Sequence, residues 1–189
     1  MRRRVASALS VLLLAVGGVQ GGRGAWIYAK AELGQVLLRR SWAETMTGRE
    51  RVRPWPWADA WPVARIILPD GDHVVLNGAS GRNLAFAPGH LDGTAAPGGP
   101  GACVIAGHRD THFSILEDLV EGDRVELEDA SGSVTTYTVA ATAVVDESST
   151  EILGDTPGST LVLITCWPFD AVAPGGPLRY VVWAEHVTR

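Results

Sequence analysis

From Trp61 onward the chain is a succession of short β-forming runs, VARIIL, HVVL, ACVIAG, DRVEL, VTTYTVAATAVV, TLVLIT and RYVVWA, each bounded by glycine, proline or aspartate. Aliphatic and aromatic runs of this length, broken by turn residues, are strands rather than helices. Pro69-Asp70-Gly71 and Ser131-Gly132-Ser133 carry the chemistry of hairpin turns. Seven or eight such strands specify an antiparallel barrel or sandwich. Two helices fit between them, over residues 111–119 and 149–153. The stretch FAPGHLDGTAAPGGPG, residues 86–101, reads as one long Gly/Pro loop, and loops that long are often functional. At 189 residues the chain can build one domain with a real core but not two ordinary ones.

The start, MRRRVASALSVLLLAVGGVQGGRG, has a basic head followed by an uncharged run over residues 5–22. As a helix this run is about 27 Å long, near the lower limit for crossing a bilayer. No clear A-x-A cleavage site follows it, which argues against a cleaved signal peptide. Residues 1–22 are therefore expected to be a signal anchor, with the N-terminus in the cytoplasm and the remainder outside. From residue 25 to about 47 a weak helical pattern sets Leu33, Val36, Leu37 and Met46 on one face, with Gly48 as a stop. RERVRPWPWADAWP follows, with three prolines and three tryptophans, and reads as a stiffened strap lying over a surface. The expected organisation is anchor 1–22, helical and Trp/Pro-rich linker 23–60, and functional domain 61–189.

Charge is unevenly placed. Residues 1–59 carry ten Lys or Arg against four acids, and residues 60–189 carry six against seventeen. A domain that acidic repels phosphates, which excludes nucleic acid as a partner.

Three positions lie at strand ends. Cys166 closes LVLITC, Arg179 opens LRYVVWA thirteen residues later, and His108 ends ACVIAGHRDTH. If the runs holding Cys166 and Arg179 pair as a hairpin, both side chains reach one rim. A thiol, an imidazole and a guanidinium are what acyl transfer through a thioester requires. The thiol attacks a carbonyl, the imidazole protonates the leaving amine, and the guanidinium donates to the oxyanion or the acyl oxygens. Each residue also has an ordinary reading: a core thiol, a satisfied polar group, an arginine paired with a surface acid. A membrane-tethered β-domain that binds a peptide or glycan without catalysis therefore stands as the alternative.

His112 lies four residues after His108, the spacing of a helical metal pair. The local pattern is a strand end and turn, with no obvious third ligand, so no metal or cofactor is expected. His112 is assigned to a helix cap or a supporting role, and His73, His90 and His186 to structural or surface duty. Cys103 lies five residues before His108 on what reads as one strand, roughly 16 Å away at about 3.3 Å per residue. That is too far for a bridge to a cysteine beside His108, so Cys103 is expected to be a core thiol.

The string TLVLITCWPF followed by PGGPLRYVV resembles the sortase signature TLxTC, read as Thr160-Leu161 ahead of Thr165-Cys166 with an aliphatic insertion, and an arginine on the next strand. VIAGHRDTHFSILEDL is similar to the sortase histidine segment and the helix after it. The resemblance covers residues 61–186. It implies a mainly β fold, an eight-stranded sortase barrel with one or two short helices behind an N-terminal transmembrane helix. It also implies a cysteine transpeptidase with Cys166 as nucleophile, His108 as general acid/base, Arg179 as substrate or oxyanion ligand, and Thr165 helping to position the peptide. The implied partners are a secreted protein with an LPxTG-like sorting signal and an amine acceptor. WPWADAWPVARI, FAPGHLDGTAAPG and ITCWPFDAVAPGGPLRYVV most resemble the subgroup from Gram-negative, often marine, proteobacteria. That subgroup implies a periplasmic domain held on the inner membrane.

Overall fold

The computed structural model describes residues 2–149, 158–173 and 175–187, with side chains described from Gly17 onward except at 19, 21, 23–25, 27 and 28. The chain divides into two compact units, one ending at Leu37 and the other beginning at Leu38. The helix α1, Arg2–Thr45, supplies the first unit and the opening turns of the second. Among the described residues no helix is long and apolar enough to cross a membrane. Gly48 ends the helical segment in the left-handed region at φ 86°, its N–H donating to the Thr45 carbonyl, as a helix stop requires.

The packed face of this segment differs from the one expected. Leu33 and Val36 are exposed, whereas Leu38, Ser41, Trp42 and Thr45 are buried. The buried set follows i, i+3, i+4, i+7 spacing, and two of its members are hydroxyl residues that an apolar count overlooks. The Ser41 and Thr45 hydroxyls are hidden at little cost because they donate back to the carbonyls of Leu38 and Ser41.

In the second unit eight strands close a barrel in the order β1-β2-β3-β4-β7-β8-β6-β5. They are β1 Pro62–Leu68, β2 Gly71–Asn77, β3 Gly89–His90, β4 Gly101–Ala106, β5 Arg124–Asp129, β6 Val134–Asp146, β7 Ser159–Cys166 and β8 Leu178–His186. Seven correspond to the runs read in the sequence. The eighth, β3, lies inside residues 86–101 and divides what was expected to be one continuous loop. The sheet is also not wholly antiparallel, since β2 pairs β3 and β4 pairs β7 in parallel.

The barrel interior is filled from alternate positions of every long strand, including Ile66, Val75, Cys103, Ile105, Leu127, Tyr137, Leu163 and Val182. A second cluster joins Leu38 to Ala60, Leu76 and Ala87, with Trp55 and Phe86 against it. The strap is thus bonded to the domain. Trp55 meets the Phe86 ring edge-on at 4.9 Å, and the Trp61 backbone exchanges hydrogen bonds with Asn77.

The helix expected over 111–119 is a single 3-10 turn, Ser114–Glu117. Phe113, Leu116 and Leu119 are all buried, and that spacing of three matches three residues per turn rather than 3.6. A four-residue helix α2, Gly81–Leu84, capped by the Ser80 side chain, had no sequence expectation. The helix expected at 149–153 falls outside the described residues beyond Ser149.

Candidate active site

Pairing register sets Cys166 beside Arg179 and bonds the residue before His108 to the end of the same strand. In the β7–β8 hairpin Cys166 is the direct partner of Arg179, so their Cα atoms are about 5 Å apart and their side chains share a face. In the parallel β4–β7 ladder Ala106 is opposite Ile164. The next residue, Gly107, donates its N–H to Ile164 and accepts the Thr165 hydroxyl at 2.8 Å. His108 therefore follows directly on the residue bonded to Ile164 and Thr165. β4 itself ends at Ala106, so His108 stands just past the strand rather than on it.

β7 also corrects the motif. It pairs residue for residue with β4 and β8, with no bulge from Thr160 to Cys166. Nothing is inserted: Val162-Leu163-Ile164-Thr165-Cys166 fills the five motif positions, with Val162 where the first threonine would stand.

Strand alternation then separates two faces. Leu161, Leu163 and Val182 belong to the barrel interior. Val104, Val162 and Val181 form a separate buried cluster with Ile164 and Trp183 against it, on the outer face. Cys166 and Arg179 share the parity of this buried outer cluster and lie at its end. Thr165 has the opposite parity and is 2 % exposed, with its hydroxyl committed to Gly107. That hydrogen bond ties the strand carrying Cys166 to the backbone just before His108.

Gly107 is required where it stands. A Cβ there would lie 2.6 Å from the Phe113 ring, and Phe113 is fully buried. The His108 carbonyl accepts from the Phe113 N–H at 3.0 Å, which curls the chain immediately after the histidine.

Arg179 is already engaged within the chain. Its Nη1 donates to the carbonyls of Gly176 at 2.7 Å and Leu178 at 2.9 Å, and its Nη2 donates to the Glu147 carboxylate. A guanidinium has five N–H donors, so two are left for a further acceptor. Glu147 had no signal in the sequence, because it reaches Arg179 only through the β6–β8 pairing. Two more neighbours were missed. Trp167, Phe169 and Tyr180 form a ring trio with centroids 5.3–5.8 Å apart, directly after Cys166 and Arg179. Arg109, next to His108, is buried.

The remaining histidines divide. His112 meets the His73 ring edge-on at 5.5 Å. Burial, and then repulsion from His73 and His108, pulls its pKa down to about 4. Among the described residues no group of three His, Cys, Asp or Glu side chains could hold a metal. His90 has a structural part, bonding the Ala95 carbonyl at 2.8 Å and the Thr94 hydroxyl at 3.1 Å. Both cysteines are free; Cys103 is 1 % exposed, and burial pushes its thiol up to about 12.

Comparison with known proteins follows the same lines. The sortase domain family matches residues 68–187. Sortase D of Bacillus subtilis (strain 168) is 32% identical over 115 residues, 60% of this chain and 57% of that protein. The chain thus matches little more than half the length of that relative. Sortase A from Corynebacterium diphtheriae has a TM-score of 0.61 at 30% identity, over 70% of this chain and 64% of that one. The Clostridium perfringens Sortase D5 transpeptidase has a TM-score of 0.67 over 83% of this chain and 99% of its own, and at 23% identity the likeness is one of fold. With the family match spanning well over half its length and covering His108, Cys166 and Arg179, this chain belongs to the sortase family.

Proposed function

We propose that this chain is a membrane-tethered cysteine transpeptidase that cuts an LPxTG-like sorting signal near the C-terminus of a secreted protein and joins the fragment to an amine. The observation that carries this reading is the register: Cys166 opposite Arg179, with Gly107 bonded to Ile164 and Thr165 so that His108 follows beside them.

The thiolate of Cys166 attacks the carbonyl carbon after the threonine of the signal. A C–S bond forms, the carbonyl π pair moves to oxygen, and the two uncommitted N–H donors of Arg179 stabilise that oxyanion. Collapse breaks the C–N bond, and the His108 imidazolium gives its proton to the leaving amine. The acyl group then rests on Cys166 as a thioester. An incoming amine loses a proton to the neutral imidazole and displaces the thiolate, which restores the starting state. The acidic domain suits an amine acceptor.

The covalent step is the decisive test. Incubation with a sorting-signal peptide is expected to add the mass of the acyl fragment at Cys166, and Cys166→Ala should show no adduct. Acylation at another residue, or turnover by the Ala variant, overturns the reading. The non-catalytic alternative needs a finer comparison than thiol against thiol, because Cys166 is half-buried and Cys103 is fully buried whatever their chemistry. The informative measurement is Cys166 alkylation in wild type against His108→Ala. An idle thiol reacts equally in both.

The tether and location rest on the uncharged run of residues 5–22 behind a basic head, and the proteobacterial subgroup on sequence wording alone. A reporter fused after Arg189 is expected to be active only outside the cytoplasm, with the full-length chain in the membrane fraction. A soluble, N-terminally trimmed product overturns the anchor.

A further inference from the structure

The loop between β7 and β8, residues 167–177, follows the nucleophile directly. Its start is packed by the Trp167–Phe169–Tyr180 ring trio. Its end is closed by Trp167 N–H on the Leu178 carbonyl and by Arg179 Nη1 on the Gly176 carbonyl. Its middle is held from another element. Arg109 Nη2 donates to the Ala171 carbonyl and to the Ala173 carbonyl, both at 2.9 Å. Between these carbonyls Val172 projects fully into solvent.

Arg109 is an unusual residue to find in this position. It is 9 % exposed, no carboxylate pairs with it among the described residues, and its Nη1 is buried without a hydrogen-bond partner there. Burying a guanidinium without a carboxylate costs stability, and breaches of that rule gather at functional sites. Arg109 is also the residue after His108. One side chain therefore ties the segment carrying the imidazole to the loop that follows the thiol.

We propose that Arg109 is a positioning residue that clamps the β7–β8 loop as a fixed wall beside Cys166, and that this fixed wall gives the acyl-donor peptide its affinity. The affinity part rests on the transpeptidase reading above; the clamp does not. Only arginine suits the geometry. One planar nitrogen donates both hydrogens to two carbonyls flanking a single residue, whereas a lysine stem is shorter and carries a mobile point charge.

The test uses full-length chain with Arg109→Gln and Arg109→Lys, and a separate insertion of two glycines after Val172 that leaves Arg109 in place. Elastase, which prefers small residues, is expected to nick the loop at residues 171–173 at least about tenfold faster in all three, since a hydrogen bond to a charged group is worth roughly tenfold or more. With a sorting-signal peptide, KM is expected to rise by roughly tenfold while kcat changes less than about threefold. The pH profile of kcat is expected to stay in place, because His108 is untouched. Unchanged nicking in folded variants overturns the clamp. Faster nicking with unchanged KM, or a fall in kcat with a displaced pH profile, overturns the affinity role and makes Arg109 a support for His108. If the arginine variants do not fold, the insertion decides alone, with a normal KM overturning the proposal. A wild-type chain that never acylates Cys166 sinks the transpeptidase reading, and nicking then decides the clamp by itself.

Discussion

The middle of β4 and the end of β7 each hold a cysteine, and the two are built to opposite ends. Cys103 faces the barrel interior among Ile105, Leu161 and Val182, and desolvation keeps its thiol neutral. Cys166 faces outward at the last position of its strand, opposite an arginine and beside the segment that carries His108. Their strands are parallel neighbours, yet Cys103 is opposite Leu161, five residues before Cys166. At about 3.3 Å per residue that is roughly 16 Å, so no bridge can form between them. Parity and position along a strand separate a thiol that fills the core from one that stands at the rim.

The largest effect should come from the cation opposite the outer thiol. Arg179→Ala and Arg179→Lys are each expected to lower kcat by on the order of 100- to 1000-fold, as loss of a preorganised oxyanion donor does. The folded state should persist, because the Glu147 end of the ion pair is exposed and Arg179 is only half-buried, and such pairs contribute about 1 kcal/mol or less. Peptide cleavage by both variants checks this. A wild-type rate from Arg179→Lys would reduce Arg179 to a surface partner of Glu147.

The next effect tests the hinge between the two regions. Gly107→Ala drives a Cβ into the buried Phe113 ring, and overpacking of this kind costs about 1–3 kcal/mol. Denaturant unfolding should show that loss, and kcat should fall with it because His108 is the next residue. Stability lost with kcat intact would mean that the histidine's placement does not depend on Gly107.

The inner thiol should then show the converse behaviour. Cys103→Ser places a hydroxyl in an apolar interior and is expected to cost about 1–3 kcal/mol, while kcat/KM stays within about threefold. A loss of turnover without a loss of stability would contradict the division between the cysteines.

The smallest effect is a pH trend at His112. Its folded pKa lies near 4, below the ordinary 6.5, so between those values the unfolded chain binds the proton and the folded chain does not. Stability is complete above about pH 6.5 and declines as pH falls from there to about 4. His112→Gln should flatten the melting temperature across that window. Some slope should remain, because burial also lowers the pKa of His73. The lowered carboxyls of Asp129 and Asp146 act at lower pH, since their contribution is lost only below the ordinary value of 3.8. An unchanged slope in the variant would show that His112 is not held neutral by the fold.

Much of this is legible in the amino-acid sequence. Seven strands announced themselves as aliphatic runs between turn residues, and Cys166, His108 and Arg179 stood at the ends of three of them. β3 did not, because two residues, Gly89 and His90, have no periodicity to read. The parallel pairings were equally silent, since a run of apolar residues says that it will be a strand but not which strand lies beside it. The helix read over 111–119 is shorter and tighter, the 3-10 turn Ser114–Glu117, because its buried residues Phe113, Leu116 and Leu119 repeat every three positions rather than every 3.6.

The sequence by itself therefore determined what is local: where most strands begin and stop, which side chains offer a thiol, an imidazole and a guanidinium, and that one thiol stands at a strand end. Tertiary structure decided what depends on register. It set Arg179 opposite Cys166 and gave its guanidinium to Glu147. It buried Arg109 and aimed it at the Ala171 and Ala173 carbonyls. It also turned Thr165 inward while Cys166 turned out. The physical reason is that propensity acts between residues a few positions apart. A hydrogen-bond ladder joins residues tens of positions apart, and slipping it by one place would exchange the inner and outer faces.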